Sequence, residues 1–158
     1  MVSKNLLKDL SIFKGLNDSE FSKIADICTE QKFKKDDIIL TEGSESKDLF
    51  LVVEGMVDVQ IRLSPQLNPV SINIIQPGEI FGEFSFIDGL CRSATAKCLT
   101  DTKIIFVKKS LFDSLTQKNA KLGMIVIKNI ASILSARIRN TNDLLRDFIS
   151  RSFKMRGV

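Results

Sequence analysis

The apolar positions along this chain change period twice. From Lys4 to about Ile27 they recur every three or four residues, at Leu6, Leu7 and Leu10 and again at Phe21, Ile24 and Ile27. That spacing predicts two short helices. Asn17-Asp18-Ser19-Glu20 supplies a start signal for the second, a capping side chain with a glutamate three residues on. Between them, Ile12-Phe13-Lys14-Gly15-Leu16 reads as a tight turn that tucks Phe13 and Leu16 inward. From Glu30 to Lys108 the texture becomes short β runs, with candidate strands at 31–33, 38–41, 48–54, 56–63, 71–75, 93–98 and 103–107. Gly55, the 64–69 stretch with its two prolines, Pro77-Gly78 and Asp101 fall between them as turns.

After Lys109 the helical period returns. A short helix near 111–115 is predicted before a long one from about 119 to 148. Its apolar seam runs through Ile127, Ile130, Leu134, Ile138, Thr141, Leu145 and Phe148, and Ile125, Val126 and Ile133 offer a second face. A helix with two apolar sides packs on its own domain and against a partner helix. The expected fold is mainly β with flanking helices: a jelly-roll barrel, N-terminal helices and a long C-terminal helix. One domain over 1–158 accommodates it, with helices over about 1–28, the barrel over 29–108 and helices over 109–158.

Composition narrows the chemistry chiefly by one absence: the 158 residues include no histidine. The commonest general base and commonest metal ligand are both lost. A Ser-His-Asp triad, a Cys-His dyad and a histidine-bound zinc site are excluded, and a metal-binding cupin barrel is disfavoured. No carboxylate pair has a spacing that argues for acid–base work, so the expectation is a protein that is not an enzyme and holds no metal. Cys28, Cys91 and Cys98 form neither a paired framework nor a CxxC. Residues 1–10 carry no continuous apolar stretch, and no run approaches the length of a membrane span. The expected setting is cytoplasmic, with no membrane partner.

Charge is unevenly placed: residues 1–118 hold 15 basic and 17 acidic side chains, residues 119–158 hold eight and two. The basic C-terminal stretch could meet nucleic acid or anionic lipid. No aromatic residues interleave the charges before Phe148 and no helix-turn-helix follows, so a solvated helix face with a basic tail is the better reading.

The chemistry concentrates in Phe81-Gly82-Glu83-Phe84-Ser85-Phe86-Ile87-Asp88-Gly89-Leu90-Cys91-Arg92-Ser93-Ala94-Thr95-Ala96, between two β runs. Gly82 lets the backbone turn and approach a ligand closely. The residues after it can form one helical turn whose N–H groups favour an anion. Arg92 is a planar donor fork suited to phosphate oxygens. An acid and a base in one loop make sense if the carboxylate meets a hydroxyl and the guanidinium a phosphate. A simpler alternative is an internal Glu83–Arg92 salt bridge closing the loop. As a loop residue, Arg92 is expected to contribute little to the core; Phe84, Phe86, Leu51 and Leu90 read as core first and pocket lining second.

These residues resemble the phosphate-binding cassette of cyclic nucleotide-binding domains, the fold shared by catabolite activator protein, protein kinase A regulatory subunits and cyclic nucleotide-gated channels. The likeness extends beyond the cassette at 81–94. Ile39-Leu40-Thr41-Glu42-Gly43, Asp48-Leu49-Phe50-Leu51-Val52-Val53-Glu54-Gly55 and Val57-Asp58-Val59 follow the family's two-glycine strand pattern. Pro77-Gly78-Glu79-Ile80 leads into the cassette, and the likeness covers roughly residues 5–150. The resemblance implies that Glu83 accepts from the ribose 2′-hydroxyl and Arg92 pairs with the exocyclic phosphate oxygens. It places Gly82, Ser93 and Ala94 along the ribose-phosphate. The usual proline before the arginine is Cys91 here, which loosens the loop but leaves the donors in place.

Arg137-Ile138-Arg139-Asn140-Thr141-Asn142 is similar to the stretch that meets the purine in catabolite activator-like proteins. Thr141 and Asn142 are therefore candidates for the base, from their own subunit or across a dimer, or else polar residues of the seam. The ligand implied is cAMP, with cGMP the alternative: Ser93 stands where cGMP readers of the family often carry threonine. The function expected is a cAMP-preferring sensor that converts binding into rearrangement of the C-terminal helix. A homodimer through that helix is expected, with an effector these residues do not name. A degenerate scaffold with no nucleotide is the competing reading, and the intact Glu83 and Arg92 argue against it.

Overall fold

The computed structural model describes Val2 and residues 4–155; the end of the basic tail lies outside them. The chain opens with α1 (Lys4–Lys8), a 3-10 turn at Ser11–Phe13 and α2 (Asp18–Ile27). The start signal works as expected. The Asn17 side chain accepts from the Glu20 backbone N–H at 3.0 Å, and the Glu20 carboxylate accepts from Asn17 N–H at 2.8 Å. Phe13 and Leu16 are both buried by the turn.

Eight strands follow among the described residues: β1 (Cys28–Phe33), β2 (Ile38–Leu40), β3 (Leu49–Glu54), β4 (Val57–Ile61), β5 (Val70–Ile75), β6 (Ile80–Phe81), β7 (Thr95–Cys98) and β8 (Thr102–Val107). Most lie within a few residues of the predicted runs. β6 was not predicted, because two residues are too few to show a period. The predicted run at 56–63 is trimmed at its start by Gly55, whose φ of +86° turns the chain. A Cβ there would lie 2.5 Å from the Asp101 carbonyl.

The strands form two four-stranded antiparallel sheets, ordered β1-β8-β3-β6 and β2-β7-β4-β5. They face each other as a jelly-roll sandwich around Leu40, Phe50, Val52, Val57, Ile75, Phe81, Ala96 and Ile104. The first sheet is covered on both sides, and β3 shows how. Leu49 and Leu51 point to the helices while Phe50 and Val52 point to the second sheet. That is why β3 reads as a continuous apolar run where most other strands do not.

Two helices follow the strands among the described residues, α4 (Lys109–Lys118) and α5 (Ala120–Met155). Both extend beyond the predicted limits. Leu122, Val126 and Ile130, four residues apart, are fully buried in the core that α5 shares with the 3-10 turn, the other helices and one face of the first sheet. Asn129 adds two hydrogen bonds of 2.9 Å, from its Nδ2 to the carbonyls of Ile12 and Lys14. Ile130, expected in the open seam, therefore belongs to the protein's own core. Past Leu134 one side of the helix is open and exposes Ile138, Leu145 and Phe148, while Arg137 on the other side still reaches the body. No helix among the described residues is long and apolar enough to cross a membrane.

Candidate functional site

Between β6 and β7 the chain builds the loop that carries the predicted chemistry. A short helix, α3 (Glu83–Asp88), is bracketed by Gly82 and Gly89, both left-handed at φ +75° and +74°. Six residues give α3 one inward face. Glu83, Ser85 and Phe86 are buried on it, whereas Phe84 and Leu90 are 51% and 67% exposed. The expectation that Phe84 and Leu90 are core is thus corrected, and Phe86 and Leu51 hold as core residues.

Arg92 overturns a second expectation. It is no exposed-loop side chain but 3% exposed, with its fork locked in place. Its Nε donates to Ser46 Oγ at 2.9 Å, Nη1 to the Gly82 carbonyl at 2.8 Å and Nη2 to the Asp48 carbonyl at 2.7 Å. The guanidinium also sits 5.6 Å from the centroid of the Phe50 ring. The reason for Gly82 is now visible. A Cβ there would stand 2.7 Å from Arg92 Nη1 and 3.1 Å from the Asp48 carbonyl, so the glycine clears space for the arginine.

Burial pulls the Arg92 guanidinium below its ordinary pKa, opposed by the nearby charges of Asp48 and Glu83. No carboxylate lies within ion-pair distance of it among the described residues. Of the five N–H groups of an arginine, the three bonds above leave one free on each Nη. This is a fixed cation with one N–H of each Nη unused, donors of the kind that meet the oxygens of an anion.

The alternative Glu83–Arg92 bridge does not form. Glu83, 4% exposed, instead accepts from Arg137 of α5, Oε1 to Nη1 at 2.6 Å. Arg137 Nη2 donates to the Ile80 carbonyl, also at 2.6 Å. Arg137 was legible only as part of the resemblance, with no role attached. Folding brings it across the loop from 54 residues away in sequence.

These groups open on one cavity of about 490 Å³, a size suited to a small ligand. Gly82, Glu83, Phe84, Arg92, Ser93, Ala94 and Thr141 all line it. Asn142 does not, and helix geometry explains why. At 3.6 residues per turn, Asn142 is rotated about 140° from Arg137 while Asn140, Thr141 and Leu144 stay within about 60°. The same 137, 140/141, 144 spacing was available in the sequence as a signal for Asn140 and Leu144. Asn73 of β5 also lines the cavity and was missed, because nothing local distinguishes it from a solvent-facing strand residue.

Comparison with known proteins places this arrangement. Residues 30–119 match the cyclic nucleotide-binding domain family. The cAMP-dependent protein kinase regulatory subunit of Candida albicans is 30% identical over 115 residues, 73% of this chain and 24% of that protein. The cGMP-dependent protein kinase 2 of Homo sapiens is 33% identical over 91 residues, 58% of this chain and 12% of that protein. The chain thus spans about a quarter or less of the length of these curated relatives. A crystal structure of a cyclic nucleotide-binding domain from Methylobacillus flagellatus superposes with a TM-score of 0.79 at 27% identity, covering 89% of this chain and 82% of that one. With the family matched over more than half of its residues and the fold shared, this chain belongs to the cyclic nucleotide-binding domain family.

Proposed function

We propose that the chain is a cyclic nucleotide sensor that prefers cAMP and reports binding through α5. The observation that carries this reading is Arg92, a buried guanidinium with two free donors, in one cavity with the carboxylate of Glu83. Arg92 takes the phosphate, with Gly82, Ser93 and Ala94 alongside the ribose-phosphate. Glu83 accepts from the ribose 2′-hydroxyl through Oε2, which makes no hydrogen bond among the described residues. The proposed role is recognition without chemistry.

Arg137 supports the signalling half of the reading. Its bonds to Glu83 and the Ile80 carbonyl tie α5 to the floor of the cavity. A nucleotide that occupies the cavity contacts both the loop and α5, so it favours the arrangement with α5 over the site. Only such a difference in affinity between two arrangements moves the helix. Calorimetric titration is expected to show one cAMP per chain, with cGMP weaker. No binding of either nucleotide removes the reading, and a tighter cGMP reverses the preference alone.

The exposed stripe of α5 supports a homodimer. Ile138, Leu145 and Phe148 are 60%, 54% and 68% exposed on the open side of the helix. Asn142, turned from its own cavity, lies on the side where a second copy's cavity is the remaining route to a base. Leu134 is partly buried against its own core, so Ile138→Lys is the cleaner probe. A lysine at a closed contact buries a charge, and light scattering is expected to show the variant shifted toward monomer. A monomeric parent at all working concentrations rules the dimer out.

A further inference from the structure

The far side of α5 carries a pattern that neither the cavity nor the dimer seam uses. Arg139, Arg146 and Phe153 are spaced by seven residues, so they fall within about 40° of one another around the helix, with Ile149 about 60° from Arg146. Arg146 is turned about 180° from Arg137, the side chain that reaches the body, and about 100° from Leu145 of the proposed seam. A dimer through that seam leaves this stripe open. All four side chains are exposed, Ile149 by 44% and Phe153 by 56%. Among the described residues Arg139 has no ion-pair partner, and Arg146 pairs with the exposed Asp143 at 3.3 Å. Asp147 is the last acid of the sequence: residues 148–158 hold three basic side chains and none that is acidic.

Such a stripe fits a surface that is anionic and also takes up apolar side chains. A bilayer with anionic headgroups has both properties: the headgroups meet the guanidinium groups while the ring and the branched side chain enter the acyl boundary beneath them. A nucleic acid would meet the cations as well, but its phosphate backbone offers nothing to Ile149 and Phe153. We propose that the distal turns of α5 dock on an anionic lipid bilayer through Arg139, Arg146, Ile149 and Phe153. The contact lies on the surface and does not span it, in keeping with described helices of which none is long and apolar enough to cross a membrane. It departs from the expected absence of a membrane partner, which rested on spanning length alone. Two apolar side chains and a few cations give reversible docking, not permanent insertion. The inference does not depend on the nucleotide reading.

The test is co-sedimentation of the full chain with vesicles of phosphatidylcholine alone, or of phosphatidylcholine mixed with phosphatidylserine. The parent is expected to bind the mixed vesicles at least ~10-fold more tightly than the neutral ones, and less so as salt rises. One basic residue near an anionic surface is worth roughly fivefold in affinity, so Arg139→Gln with Arg146→Gln lowers binding by about 25-fold. Ile149→Gln with Phe153→Gln lowers it by at least ~10-fold through lost apolar burial. All four residues are exposed, so thermal melts of both double variants are expected to match the parent. A parent that binds neither vesicle, or both equally, overturns the proposal, and so does an arginine variant that binds as the parent does. If the Ile149→Gln, Phe153→Gln variant keeps its vesicle binding and the parent binds duplex DNA more tightly at the same salt, the stripe is a nucleic-acid contact and the lipid assignment falls.

Discussion

Arg92→Ala is expected to lower cAMP affinity by at least ~100-fold, the loss that follows when one side of a buried charged contact is removed. The structure adds a second effect that a surface-loop arginine would not have. Ser46 Oγ and the carbonyls of Gly82 and Asp48 each lose a donor, and these groups hold the loop, β3 and its preceding turn together. Leaving such acceptors unmet costs on the order of 3 kcal/mol in total. Chemical denaturation of the variant is therefore expected to shift along with its binding. Arg92→Lys tests the shape of the fork apart from its charge. It keeps the charge, yet one ammonium cannot serve three protein acceptors and two phosphate oxygens, so affinity still falls by more than ~10-fold. A folded Arg92→Ala or Arg92→Lys protein that binds cAMP as tightly as the parent would show that Arg92 is not the phosphate partner.

Glu83→Gln is expected to weaken cAMP by roughly 10- to 100-fold, the range for a hydrogen bond to a charged group. The substitution keeps the shape of the side chain but removes the charge that holds Arg137, itself only 26% exposed. The telling comparison uses 2′-deoxy-cAMP, which lacks the hydroxyl proposed to meet Glu83. The parent is expected to discriminate strongly between the two nucleotides, and the variant hardly at all. If Glu83→Gln discriminates as well as the parent, the carboxylate serves only to anchor α5 and the ribose is read elsewhere. The two roles are separable because Arg137 uses Oε1 and leaves Oε2 available.

Much of the fold was legible residue by residue. The capping pair Asn17 and Glu20 marked the start of α2, and the alternation of glycine turns with short apolar runs marked most of the strands. Leu122, Val126 and Ile130 follow a helical period that local sequence shows. The limits of the sequence are as specific. A two-residue strand such as β6 carries no period, and the same three-or-four spacing that defines the seam of α5 cannot say where the helix leaves its own core. Ile130 and Ile138 look alike in the sequence, yet one is fully buried and the other 60% exposed.

The sequence by itself determined the local elements, the absence of histidine chemistry and the ordered cassette from Gly82 to Ala94, because each depends on residues adjacent or periodic along the chain. Only the tertiary structure decided what those residues meet. Arg92 is buried because loops near residues 46 and 48 close over it, and Glu83 faces Arg137 because α5 returns across the cassette. Asn73 and Asn140 share a cavity although 67 positions separate them. The physical reason is that an electrostatic or hydrogen-bonding contact depends on distance in space and on burial. Both are set by how the sheets and helices pack, and neither is written in the spacing along the chain.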